Sequence, residues 1–139
     1  MNEEKLIAEV QSAIMDTYNS LGVGFPASAY EEYLSINLTE RSLKNERHVS
    51  VPLIIEGQTL SENLQADLLV EGLIPVLVKS VEETDKETEE MFQKELLTII
   101  RLSHLKHGFL VNFNTTDIAH SILSITDNFT ADPNNSSSL

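Results

Sequence analysis

Residues 60–80 restrict the fold of this chain more than any other segment. Leu64, Ala66, Leu68 and Val70 alternate with Gln65, Asp67 and Leu69, and past Glu71-Gly72 the alternation resumes at Ile74, Val76 and Val78. A period of two sends successive side chains to opposite faces, so 60–70 and 73–80 read as two strands of a hairpin. The turn length decides the register. A three-residue loop, Glu71, Gly72 and Leu73, pairs Val70 with Ile74, Asp67 with Leu77 and Gln65 with Lys79. Ala66, Leu68, Val70, Ile74, Val76 and Val78 then share an apolar core face, and Asp67, Leu77 and Lys79 share the other. A two-residue loop would put Asp67 opposite Val76 and mix the faces.

Other periods surround this hairpin. Leu6, Val10, Ile14 and Tyr18 recur every four residues, which predicts an amphipathic helix over 3–20. Leu21-Gly22-Val23-Gly24-Phe25-Pro26 breaks it. A second helix is expected over 28–43, with Ser28 as N-cap, Glu31 and Glu32 in the first turn, and Tyr30, Leu34 and Leu38 turned inward. Val49, Val51, Leu53 and Ile55 alternate as a strand, which Pro52 places at an edge or a bulge. An acidic run (Glu82, Glu83, Asp85, Glu87, Glu89, Glu90) opens a helix over 84–103 with Phe92, Leu96 and Ile99 inward. HGFLVNF predicts a strand over 106–113, and a short last strand is expected over 117–125. The order is helix, helix, three-strand meander, helix, strand and short strand. That is an α/β fold whose mixed central sheet of four to five strands is flanked by helices.

The chain has 139 residues, enough for one domain, expected over 1–125. ADPNNSSSL ends it with linker composition, so 126–139 is expected to be a flexible tail. There is no cysteine, which excludes disulfides, thiolate metal sites and a cysteine nucleophile. The formal charge of −13 disfavours nucleic acid as a partner, because phosphate contacts need a basic face. The opening MNEEKLIAEV is not a signal-like pattern and no apolar run approaches the ~20 residues of a membrane span, so a cytoplasmic protein without membrane contact is expected. The Asn-x-Ser/Thr triplets at Asn37, Asn114, Asn128 and Asn134 are then chance matches.

Three segments together, GVGFPASAYEEYL (22–34), QADLLVEGLIPVLVKS (65–80) and KHGFLVNF (106–113), resemble the GxxExxY family of the PD-(D/E)XK nuclease-like superfamily. The similarity covers roughly 4–122. It implies a PD-(D/E)XK-like core and a divalent metal, Mg or Mn, held by carboxylates on adjacent strands. It also implies a lysine two residues past the second acid. Asp67 matches the strand aspartate, Lys79 the lysine, and Gly24 and Tyr30 the named motif. The chain departs from the pattern at two acids. Leu77 stands at the second strand acid and Ala27 at the helix glutamate. A family glutamine falls at Glu95.

Two expectations follow. In one, the site is spent, no cofactor is bound, and the fold serves protein–protein contact with a partner or a second copy of the chain. In the other, the acid has moved: Asp67, Glu95 and Lys79 form a catalytic set, Asp67, Glu95 and Glu31 hold the metal, and the protein is a nuclease. Other chemistry is thinner. His104 and His107 lack a third zinc ligand and suit a helix C-terminus. His48 and His120 read as isolated, Arg41, Lys44 and Arg47 as a solvated basic cluster, and Glu95 as a surface charge or a partner of Lys79.

Overall fold

The computed structural model of the chain describes residues 1–82 and 85–127. Glu83, Thr84, Asn128, Asn134 and most of the expected tail lie outside the described residues.

Helix α1, Glu3–Leu21, begins where the Asn2 side chain accepts the Lys5 N–H at 2.8 Å, with Glu3 and Glu4 against the positive end of the dipole. It stops at Gly22, whose φ of 69° suits only a residue without Cβ. Helix α2, Ala27–Glu40, is capped by Pro26 and not by Ser28, which lies inside the first turn. Its fixed φ pre-sets the entry, and no side chain caps it. The α2 C-terminus is tied to α1 by Arg41, which pairs with Glu9 at 2.9 Å and with Asp16. The basic cluster is therefore not solvated as a unit.

Strands β1 (Asn45–Ile55), β2 (Gln58–Val70) and β3 (Ile74–Lys79) form the meander. Glu56 and Gly57 are both left-handed, as are Glu71 and Gly72, the backbone that tight hairpin turns require. Helix α3, Lys86–Leu102, starts at Asp85, whose side chain accepts the Thr88 N–H at 2.8 Å. Strand β4, His107–Asn112, then runs parallel to β3. The last segment is not a continuous strand. A single helical turn, α4 (Ile118–Ser121), seats Ile118 in the core before β5 (Ile122–Thr126) pairs antiparallel with β4. The mixed sheet has the order β1-β2-β3-β4-β5.

Val70 pairs with Ile74 and Leu68 with Val76, the register of the three-residue turn. Both faces are covered. Helices α1 and α2 bury Leu68, Val70, Ile74, Val76, Val78, Phe109 and Val111 on one side. Helix α3 buries Val51, Ala66, Leu77 and Leu110 on the other through Leu96, Ile99 and Ile100. Ala66 therefore packs with Leu77 and not with Leu68, contrary to simple alternation. The switch falls at Asp67 and its neighbour across the ladder, His48, whose φ of 56° rotates β1 at the same level. Arg47 reaches the α2 side, whereas Val49 belongs to the α3 side.

The seat of α3 is set by Gly108. A Cβ there would lie 2.9 Å from Leu96 Cδ1, 3.0 Å from Ile100 Cδ1 and 3.1 Å from the Pro75 carbonyl oxygen. Gly108→Ala should overpack this contact and destabilise the protein by about 1–3 kcal/mol, read by urea unfolding. An unchanged stability would show that α3 can shift freely on the sheet.

Candidate carboxylate–lysine site

The site lies where β2 and β3 part. The last pair of their ladder is Leu68–Val76, and the Asp67 carboxylate then accepts the Val78 N–H at 2.7 Å. Asp67 is half-buried. Burial pushes its carboxyl up, opposed by the Val78 N–H and by Lys79, while Glu95 pushes it further up and His48 draws it down.

Lys79 ends β3 and is directed toward α3. Its ammonium lies 3.3 Å from Glu95 Oε1 and 4.5 Å from the centre of the Phe92 ring. Glu95 and Phe92 are three residues apart, so one helical face presents both. Glu95 thus takes the Lys79 partnership that its position on α3 allows, rather than pairing along its own helix.

Glu31 comes from α2 and is only 5% exposed. Burial is the main cause that raises its carboxyl, and repulsion from Asp67 is the next. His48 Nε2 at 3.3 Å and Arg47 at 3.5 Å offset part of this. Neither partner was legible in the sequence as such. The left-handed backbone at His48 is the local feature that turns both side chains to α2. The sequence signal was the run Asn45, Arg47 at a period of two just before the apolar alternation begins.

Tyr30, beside Glu31, is fully buried. It stacks on Phe113 with centroids 4.4 Å apart and donates to the Gly22 carbonyl. It thereby holds the Gly22–Pro26 loop next to β3, where Ser80 Oγ donates to the Phe25 carbonyl at 2.7 Å. Ala27 is packed against the core. Leu77 is 1% exposed inside the α3 cluster.

Asp67 therefore stands between the others electrostatically: Lys79 and Glu95 act on its carboxyl, and it acts on that of Glu31. Each carboxylate is committed: Glu31 to Arg47 and His48, Asp67 to a backbone N–H, Glu95 to Lys79. Among the described residues no three His, Asp or Glu side chains are grouped as metal ligands. His104 follows the α3 cap with a left-handed backbone, and His107 contacts Thr126. His120 is paired with Asp117 at 2.5 Å rather than isolated.

The raised Glu31 carboxyl has a sign that can be checked. Its folded value lies above the unfolded one near 4.5. The stability it contributes is complete below that unfolded value and is lost as pH rises through the folded value. Glu31→Gln removes the titration, so the variant should gain on the wild type between pH 4 and pH 7 in urea unfolding. A difference independent of pH would contradict the burial and repulsion at this carboxyl.

A family model described as PD-(D/E)XK nuclease superfamily matches residues 4–124. No curated protein and no solved structure shows significant similarity to the chain. No helix among the described residues is long and apolar enough to cross a membrane. The match takes in both helices, the whole meander, α3 and the parallel β4, and it spans Glu31, Asp67, Lys79 and Glu95. The chain belongs to the PD-(D/E)XK nuclease superfamily.

Proposed function

We propose that the chain is a degenerate protein of the GxxExxY type, impaired as a nuclease, whose work is done by contact with a partner protein or with a second copy of itself. The observation that carries this is Leu77. A Mg²⁺ or Mn²⁺ ion on this scaffold takes carboxylates from both strands. On β3 that position is filled by a leucine sealed under Leu96, Ile99 and Ile100. Asp67 is left with a lysine that already has its own counter-charge. Contact with a protein is supported by the β1–β2 hairpin, whose outer end exposes Ile54, Ile55 and Leu60 along an edge of the sheet. A cytoplasmic setting is consistent with the absence of any cysteine.

Incubation with single-stranded DNA, duplex DNA and RNA in Mg²⁺ or Mn²⁺ should give no cleavage beyond that of Asp67→Ala, and Mn²⁺ titration calorimetry should give no site tighter than ~1 mM. Cleavage that Asp67→Ala abolishes overturns the proposal. In ultracentrifugation, association of the chain with itself or a captured partner should weaken in Ile54→Ser combined with Leu60→Ser.

Glu31 favours a different assignment. A carboxylate this buried and repelled by Asp67 is costly to keep unless it serves a purpose. In this alternative the protein is a metal-dependent nuclease, with Asp67, Glu95 and Glu31 as the carboxylates and Lys79 as the cation that neutralises developing charge. It would require Glu95 to leave Lys79. Hydrolysis should then fall at least ~100-fold in Glu95→Gln and in Glu31→Gln as well as in Asp67→Ala. Activity indifferent to both glutamates removes it.

A further inference from the structure

A cleft of about 760 Å³ opens between α3, β4, α4 and β5, and Lys79 alone joins it to the carboxylate site. Its volume is that of a small-molecule pocket. It lies past the carboxyl ends of the parallel strands β3 and β4, where ligands of α/β sheets are commonly held.

The apolar part is a floor and a wall. Leu110 and Leu123 face each other across the β4–β5 ladder and form the floor. Phe92, with the Lys79 ammonium over its ring, forms the wall. Such surfaces favour a flat apolar ring over an extended polar chain.

The uncommitted polar groups are of one kind. Asn112 is already used, since its Oδ1 accepts the Val81 and Asn114 N–H groups and its Nδ2 donates to the Val81 carbonyl. The side-chain amides of Gln93 and Asn114 line the same cleft and make no hydrogen bond among the described residues. An amide presents a donor beside an acceptor, the complement of a nucleobase edge.

Charge narrows the ligand further. Lys79 is neutralised by Glu95, and the cleft also carries Glu89 and Asp117, the latter beside His120. With the lysine of the lining already paired to Glu95, on a chain of charge −13, the cleft disfavours phosphate. We infer that the cleft binds a neutral, planar heterocycle with an amide-like edge, a nucleobase or nucleoside, and disfavours the phosphate-bearing nucleotide. Such binding needs neither a metal nor hydrolysis and stands apart from the assignment of the carboxylate site.

The full chain in EDTA at low salt is titrated with adenosine, guanosine, cytidine and uridine, and in parallel with their 5′-monophosphates, followed by amide NMR shifts. At least one nucleoside should saturate with a Kd of ~1 mM or tighter, and should bind at least as tightly as its monophosphate. Gln93→Ala and Asn114→Ala should each weaken it ~5-fold or more without changing the fold. Leu123→Glu, at a partly exposed position on the floor, should abolish it. Saturation by none of the four, tighter binding of the monophosphate, or nucleoside binding indifferent to both amides overturns the inference. Because EDTA removes divalent ions, these outcomes report the cleft and not the carboxylates.

Discussion

A carboxylate that takes the place of a strand carbonyl governs this structure. The Val78 N–H faces β2 at the level where the β2–β3 ladder has ended, and Asp67 Oδ2 receives it at 2.7 Å. A bond of this charged type is worth about 1.5–3 kcal/mol, and without it a buried donor would have no partner. It lets β2 leave β3 without cost to the ladder. Below it, Leu68 and Val70 stay with α1 and α2. Above it, Ala66 and Leu64 pass to the α3 side, and β1, paired to β2 on both sides of this level, turns with them at His48.

The parting of the strands also creates the polar gap in which the charges gather. Helix α2 contributes Glu31 from one side and α3 contributes Glu95 from the other, with Lys79 at the end of β3 between the layers. Like charges in a half-buried gap would ordinarily force protonation. Here the fold counters that with Arg47 and His48 against Glu31, and with Lys79 against Glu95. The compensation is incomplete: Glu31 remains raised by burial and by Asp67, and Asp67 by burial and by Glu95. The gap thus holds two carboxyls raised by burial and a lysine already paired with Glu95.

Much of this architecture was legible because it rests on periodicity. The hairpin register followed from the three residues Glu71, Gly72 and Leu73 and the demand that apolar side chains share a face. The helices followed from four-residue spacing. What alternation could not convey was its own interruption. Ala66 and Leu68 are two apart and belong to different cores because a side chain between them substitutes for backbone. No propensity marks His48 as left-handed in a strand, so its contact with Glu31, and that of Arg47, stayed hidden. The single turn α4 was missed for a related reason. Ile118 and Ile122 look like alternating strand residues, yet four-residue spacing equally suits a helical turn that buries the first of them.

Leu77 shows why an acid at this position would mean more than one exchanged residue. Position 79, two residues on and on the same face, stays polar because it lies at the margin of α3, where the lysine stem can rest on Phe92 and the ammonium can reach Glu95. Position 77 lies further in, beneath Leu96, Ile99 and Ile100, and a buried leucine there contributes about 1.5–3 kcal/mol. Gly108 admits the same helix to within contact of β4. The close seat of α3 and the leucine beneath it support each other. A carboxylate at 77 would have to be desolvated against aliphatic carbon, at a cost of several kcal/mol. Placing an acid at that position therefore means lifting α3, and α3 is the element that supplies Glu95 to Lys79. The two carboxylates compete for the same lysine through the placement of one helix.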